Sequence, residues 1–239
     1  MQTTKRIHIF YTALFLIVGI CFFSFHFLDQ QLVLFFEKIP RNINLFFQWV
    51  SVYGKAKFFL YPSAIVFFIS LFFLKIKSQI KPRHELAQTA RNSLFLFVSV
   101  AASGLVTDIL KFALGRFRPI VWLENGYYGL AFFEHEFHAT SFPSGHASNT
   151  VSFLAAAFLL TKPRYRPWLI PLFIFTIIII LSRLFINAHY FSDVLFGIFV
   201  ACATTITLHK YFFKKSAGLL FKMGIHEGPR PGIRVDEIK

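Results

Sequence analysis

The chain has 239 residues, of which 56% are hydrophobic and only 15% charged, and its mean hydropathy is +0.59. Soluble domains average about 25% charged residues, and 35 phenylalanines exceed what one small soluble core uses, so a disordered chain, a disulfide scaffold and an ordinary cytosolic enzyme are excluded in favour of an integral membrane protein. The net charge of +14 is compatible with nucleic acid, anionic headgroups or topology signals, and only the placement of Lys and Arg separates these.

Apolar, charge-poor runs of about 20 residues are long enough to cross a bilayer as helices. They predict an all-α polytopic protein with six transmembrane helices in a bundle. The first run, Ile7–Leu28, follows Lys5-Arg6 as a signal peptide would. It is long and has no small-residue cleavage site, so it reads as an uncleaved span. The second run is about Phe58–Leu74 and the third about Ser93–Leu114, with Asp108 and Lys111 near its end. The fourth covers about Ser144–Thr161, the fifth Trp168–Leu184 and the sixth His189–Phe212.

Between spans one and two, residues 29–57 contain Leu34-Phe35-Phe36, Leu45-Phe46-Phe47 and Trp49, broken by Glu37, Lys38, Pro40 and Arg41. No run there is long enough to span, and an interfacial amphipathic segment is expected. Residues 1–214 read as one transmembrane domain. Residues 215–239 read as a loose polar tail carrying Gly228, Pro229, Pro231 and Gly232.

Six spans place both termini on one side of the membrane. Lys and Arg number 17 on that side and 8 on the other, so both termini are expected in the cytoplasm. Basic residues on both membrane faces make the bilayer the expected partner and argue against nucleic acid. Cys21 and Cys202 sit inside apolar runs and read as small buried residues, not as a disulfide or a metal site. Glu134, His135, Glu136 and His138 match no strong metal spacing and read as a solvated outer loop, with headgroup selection as an alternative. Trp122, Tyr127 and Tyr128 read as interfacial aromatics.

The remaining polar residues gather at four helix ends on the less basic side. Lys111, Arg116 and Arg118-Pro119 follow span three, and Pro143-Ser144-Gly145-His146 opens span four. Ser182-Arg183 ends span five, and His189 and Asp193 begin span six. Ionisable groups at membrane depth are costly, so their concentration marks function. Lys and Arg neutralise phosphate oxygens, and the Arg fork binds them bidentately. A helix start capped by Ser144 offers free amides to an anion, and Gly145 permits close backbone approach. His189 and Asp193, four apart, share a helix face. The carboxylate can accept from one ring nitrogen and leave the other as a nucleophile, while His146 remains to protonate a leaving oxygen. Arg116 stands outside this pattern, and headgroup contact is one reading of it. Asp108 is placed to orient Lys111 or offset its charge.

The spacing Lys111-x6-Arg118-Pro119, Pro143-Ser144-Gly145-His146 and Ser182-Arg183-x5-His189-x3-Asp193 resembles the three-part signature of the type 2 phosphatidic acid phosphatase family. The resemblance implies metal-independent, cofactor-free hydrolysis of a lipid phosphate monoester or pyrophosphate. By that resemblance the position of His189 attacks phosphorus and forms phosphohistidine, Asp193 orients it and His146 is the general acid. Lys111, Ser144, Gly145, Arg118 and Arg183 match the phosphate-binding positions. Bacterial relatives act on phosphatidylglycerol phosphate, undecaprenyl pyrophosphate, phosphatidic acid or lipid A phosphates. The implied location is the bacterial inner membrane with the active site facing the periplasm. Two alternatives stay open. One is a phosphotransferase whose phosphohistidine is captured by a hydroxyl, and the other is an anion or lipid transporter that binds phosphate without cleaving it. Substrate identity and oligomeric state are not fixed by the sequence.

Overall fold

The computed structural model describes residues 2–76, 83–134 and 136–222. Among these the chain is all-helical, with nine α-helices and no strand. They are α1 (Gln2–Phe27), α2 (Asp29–Glu37), α3 (Arg41–Ser51), α4 (Lys57–Ile76), α5 (Arg83–Leu114), α6 (Pro119–Asn125), α7 (Gly145–Leu160), α8 (Ile170–Phe185) and α9 (Phe191–Lys222). Helices dominate because backbone polar groups in hydrocarbon must be satisfied within their own segment.

Five helical stretches are long and apolar enough to cross a membrane: His8–Phe27, Arg41–Ile76, Arg83–Leu114, Pro163–Phe185 and Phe191–Phe213. The fourth expected span corresponds to α7, which has only 16 residues and a length of about 24 Å at 1.5 Å per residue. It starts just after Pro143-Ser144 and ends ahead of Lys162-Pro163, which fixes its length. Its first two turns are polar, with Ser148, Asn149, Thr150 and Ser152 all buried. The backbone of α9 continues past Lys214 to Lys222. The remainder of the expected polar tail lies outside the described residues.

The interfacial segment is two short helices split at Lys38–Pro40 and followed by a 3-10 turn at Val52–Gly54. Helix α3 is strongly two-sided. Leu45, Phe46 and Trp49 are exposed, while Phe47 packs on Phe185 of α8 with ring centroids 4.0 Å apart. Asn44 Nδ2 donates to the Phe185 carbonyl at 3.2 Å. The segment is therefore docked on the bundle rather than merely floating at the interface.

Helix α7 is the axis of the domain and packs on α5, α9 and α8. Small residues and hydroxyls hold it there, as in other membrane bundles. Ser103 and Ser148 hydroxyls meet at 2.7 Å, Thr107 Oγ1 donates to Ser148 Oγ at 2.8 Å, and Ser152 and Thr205 meet at 2.9 Å. At Gly197 an added Cβ would come within 2.7 Å of the Ser144 carbonyl oxygen. That glycine lets α9 close onto the first turn of α7.

Candidate active site

Gly115 ends α5 at φ +53, a conformation that favours glycine. A side chain there would also collide with the Ala131 carbonyl. The chain then turns into a short extended clasp with the end of the outer loop. Arg116 N–H donates to Ala139 O at 2.6 Å, Arg118 N–H to His138 O at 2.8 Å, and Ser141 N–H to Arg116 O at 3.0 Å. Pro119 then starts α6, where a missing N–H costs nothing. The clasp places Arg116, Arg118 and Ser141 beside the ends of α7, α8 and α9.

His189 is not on α9 but in the turn before it, which Ala188 and His189 N–H groups close by donating to the Arg183 carbonyl at 3.1 and 3.2 Å. Its Nδ1 lies 2.7 Å from the Ser141 carbonyl oxygen and 3.6 Å from Asp193 Oδ2. A carbonyl oxygen can only accept, so Nδ1 carries the hydrogen and the Nε2 lone pair is free. Only 3% of His189 is exposed. Burial pushes its imidazole far below the ordinary 6.5, to about 3, although the Asp193 carboxylate works the other way. The ring is neutral at neutral pH, with its Nε2 lone pair available.

Asp193 is fully buried and accepts on both oxygens. Oδ2 takes the Ser141 hydroxyl at 2.5 Å and the Tyr190 N–H at 2.9 Å, and Oδ1 takes Arg116 Nη1 at 2.6 Å. The shared-helix-face expectation for His189 and Asp193 is thus replaced by a turn. The ring's direct partner is a backbone carbonyl, and the carboxylate stands just behind it.

The cations converge on the same place. The charges of Arg183, Lys111 and Lys55, with the His189 ring, act on His146, and those of Arg118, Asp108, Arg183 and Asp193 act on Lys111. Asp108 and Lys111 form no ion pair among the described residues. A Cβ at Gly145 would sit 3.5 Å from Lys111 Nζ, which brings the ammonium against the first turn of α7. Arg118 donates Nε to Phe137 O at 2.7 Å and Nη1 to Ala188 O at 3.2 Å, and its guanidinium lies 3.9 Å over the Phe137 ring. Burial lowers its pKa to about 10, opposed by Asp193, so it stays charged at neutral pH. Arg183 donates to the Ser51 hydroxyl.

Ser144 occupies the cap position of α7 but makes no side-chain cap bond. Its N–H donates to the Asp193 carbonyl at 3.0 Å, so that amide is committed elsewhere. Ser144 Oγ and Arg183 Nε are buried without a hydrogen-bond partner among the described residues. Two unpaired donors beside Lys111 and Arg118 suit an oxyanion.

All eight sequence-selected residues therefore share one locale. The structure adds others. Arg116 does not face a headgroup. It is 1% exposed and bridges Asp193 to Asp29, with Nη2 2.9 Å from Asp29 Oδ2. Burial lowers the Arg116 pKa, but Asp193 and Asp29 outweigh it and hold the group above the ordinary arginine value. Tyr128, expected at the interface, accepts from Arg116 Nη2 at 3.0 Å and donates to Phe25 O at 2.5 Å. Ser51 and Gly54 bring the segment after α2 to the site. A Cβ at Gly54 would meet His146 Cδ2 at 2.7 Å. Among the described residues no group of three His, Cys, Asp or Glu forms a metal-binding cluster.

A family model described as the PAP2 superfamily matches residues 92–217. Two relatives named lipid A 1-phosphatase show similar agreement. The one from Rhizobium johnstonii is 31% identical over 78% of this chain and 74% of its own length. The one from Rhizobium etli is 32% identical over 77% of each. Two crystal structures share the fold. That of Aquifex aeolicus LpxE has a TM-score of 0.52 at 18% identity, covering 77% of this chain and 96% of its own. That of a transmembrane PAP2-type phosphatidylglycerolphosphate phosphatase from Bacillus subtilis has a TM-score of 0.57 at 19% identity, covering 85% and 96%. The class defined here is an integral-membrane hydrolase acting on lipid phosphates. The chain belongs to the PAP2 superfamily, the type 2 phosphatidic acid phosphatase family whose signature its sequence carries.

Proposed function

We propose that this enzyme removes the 1-phosphate of lipid A at the outer face of the bacterial inner membrane, through a phosphohistidine at His189. The observation that carries the chemistry is the His189 Nδ1 hydrogen bond to the Ser141 carbonyl, which leaves Nε2 as the free nucleophile. The substrate choice follows the two relatives named lipid A 1-phosphatase, which align over about three quarters of the chain.

In this reading Lys111, Arg118 and Arg183 neutralise the phosphate oxygens, with Ser144 Oγ and the backbone at Gly145 completing the cradle. Nε2 of His189 bonds to phosphorus as the phosphorus–oxygen bond to the sugar breaks. His146 gives its proton to the departing lipid oxygen. The phosphate dianion supplies the negative charge that lets His146 hold that proton among Arg183, Lys111 and Lys55. Water, deprotonated by His146, then attacks phosphorus, breaks the nitrogen–phosphorus bond and releases orthophosphate. Asp193 offsets the positive charge that develops on the His189 ring. The chain's own residues account for every step, so the reaction is written without metal or cofactor.

The same reading takes α7 as a sixth span, shortened because its outer end stops at the site. Both termini then lie in the cytoplasm, in accord with the 17-to-8 distribution of basic residues.

The test is orthophosphate release by detergent-purified protein in excess chelator. Lipid A, phosphatidylglycerol phosphate, phosphatidic acid and undecaprenyl pyrophosphate are each run beside His189→Ala. Release that is fastest from lipid A, survives chelation and vanishes in the variant is expected. Faster release from another lipid would replace the substrate, and an active His189→Ala would overturn the mechanism.

A further inference from the structure

We propose that Arg116, held by Asp29, is a positioning residue for the reaction: it fixes Asp193, and through it the ring of His189. The inference rests on the reading of His189 as nucleophile given above.

Three charged side chains form a buried chain. Arg116 is 1% exposed, and Asp29 and Asp193 are fully buried. Each terminal nitrogen of the guanidinium serves a different carboxylate: Nη1 meets Asp193 Oδ1 at 2.6 Å and Nη2 meets Asp29 Oδ2 at 2.9 Å. The plane of the guanidinium is also held, 4.0 Å over the Tyr190 ring and 4.8 Å from the Phe25 ring. Nη1 further donates to Ser192 Oγ at 2.7 Å.

Asp29 is itself fixed from two helices. Its Oδ1 accepts the Ser24 hydroxyl at 2.7 Å and the Ser192 N–H at 3.1 Å, and its Oδ2 accepts the Ser192 hydroxyl at 2.5 Å. Asp29 lies outside the segment matched by the family model, residues 92–217. The chain of contacts thus ties the junction of α1 and α2 to the catalytic turn.

A buried ion triad is weak evidence of stabilisation, because desolvation cancels much of the attraction and apolar residues of similar volume do as well. Its geometry points instead to orientation. Among the described residues Arg116 is the only hydrogen-bond partner of Asp193 Oδ1, while Oδ2 serves Ser141 and Tyr190. Without Arg116 that oxygen is buried and unpaired, and the carboxylate must rotate or neutralise. Either change removes the negative charge that faces His189 Nδ1 at 3.6 Å as the ring becomes cationic. The loss falls on formation of the phosphoenzyme and not on lipid binding. Lysine cannot substitute, since a single ammonium lacks the two-pronged fork.

The experiment uses the full chain in detergent, with lipid A radiolabelled at the 1-phosphate. Wild type, His189→Ala, Arg116→Met, Arg116→Lys and Asp29→Asn are compared by steady-state kinetics and rapid-quench phosphoenzyme formation. Folding is checked by monodisperse elution and thermal unfolding. Both Arg116 variants are expected to lose about 10- to 100-fold in kcat and in the phosphoenzyme rate, by analogy with the loss seen when the hydrogen-bond partner that orients a metal-binding side chain is removed. Asp29→Asn should lose about 10-fold, and KM should stay within about twofold throughout. Folded variants with wild-type phosphoenzyme rates, or with losses confined to KM, overturn the proposal. If Arg116→Met does not fold, the nearly isosteric Asp29→Asn carries the test, and failure of both to fold assigns the triad to stability alone. A wild type that forms no phosphoenzyme overturns the reading of His189, and the proposal with it. A wild type that forms it beside unaffected variants overturns the proposal only.

Discussion

The Nδ1 nitrogen of His189 lies 2.7 Å from the Ser141 carbonyl oxygen but 3.6 Å from Asp193 Oδ2. Orientation and charge compensation, commonly joined in one carboxylate, are here divided. The backbone of the outer loop fixes the tautomer, and Asp193 supplies a negative charge one layer further back. Ser141 links the layers, because its hydroxyl donates to Asp193 at 2.5 Å while its carbonyl accepts from the ring.

This division makes the two residues respond differently to substitution. Ser141→Ala keeps the carbonyl and loses only one of the donors to Asp193, so kcat is expected to fall no more than about tenfold. Asp193→Asn is worse, because every group around it donates: Arg116, Ser141 Oγ and Tyr190 N–H. An amide NH2 must face one of these donors, and the negative charge is gone. A loss of at least about 100-fold in kcat is expected, in line with carboxylates that orient catalytic imidazoles. Orthophosphate release by the two purified variants measures this, and equal losses would refute the division of roles.

Much of the site was legible because side-chain chemistry leaves a pattern. Lys111, Arg118, His146, Arg183, His189 and Asp193 are ionisable groups in apolar surroundings, where they are costly and their concentration points to function. What the sequence hid was of two kinds. A backbone acceptor has no signature, so the role of the Ser141 carbonyl was invisible, as was that of the Phe137 carbonyl beneath Arg118. Partners distant in sequence were also hidden. Asp29 at the end of the first span looks like any interfacial carboxylate until Arg116, 87 residues on, is seen to meet it. Gly54 and Ser51 likewise reach the site only because α3 docks on α8, which no local pattern states. For the fold, apolar runs placed the helices well. Helix α7 reads as a full span by hydropathy, yet its 16 residues are fewer than those of any of the five stretches long enough to cross a membrane, because Pro143-Ser144 starts it and Lys162-Pro163 follows its end.

Gly54 gives a test of how closely His146 is placed. An added Cβ would come within 2.7 Å of His146 Cδ2 and 2.6 Å of Ile179 Cγ2, and Ile179 is fully buried. The imidazole is the softer neighbour, so Gly54→Ala should displace it. Misplacement of a reacting group by about 1 Å costs about 100-fold, and a loss of roughly 10- to 100-fold in kcat with little change in KM is expected. Steady-state kinetics on lipid A, with thermal unfolding as the control, decide it. Wild-type kcat in a folded Gly54→Ala would mean that His146 does not act from this position.

The proposed topology is tested by labelling intact cells. Glu124 lies exposed in α6 on the side of the site, and Lys162 lies exposed at the far end of α7. A cysteine at Glu124 should react with a membrane-impermeant maleimide, once the reagent has passed the outer membrane. A cysteine at Lys162 should react only after lysis. The native Cys21 is buried, and Cys202→Ser removes the other background. Labelling of the Lys162 position in intact cells would invert the orientation.

The buried His189 also makes stability depend on pH with a definite sign. Its folded-state pKa is pushed down to about 3, whereas an unfolded histidine titrates near 6.5. Between those values the unfolded chain holds a proton on this residue and the folded one does not. Stability therefore falls as pH drops below about 6.5, by up to about 1.4 kcal/mol per pH unit for one group. The His189 ring stays unprotonated over the same interval, so on the proposed mechanism the rate of phosphoenzyme formation should show no acid limb from His189 near 6.5. Thermal unfolding midpoints at pH 7.5 and 5.0 are the measurement, for wild type and for His189→Gln, whose side chain does not titrate. The wild-type midpoint should drop further than that of the variant over this range. Equal drops in the two proteins would show that His189 takes up its proton in the folded state, and the nucleophile would then be lost in mild acid instead of retained.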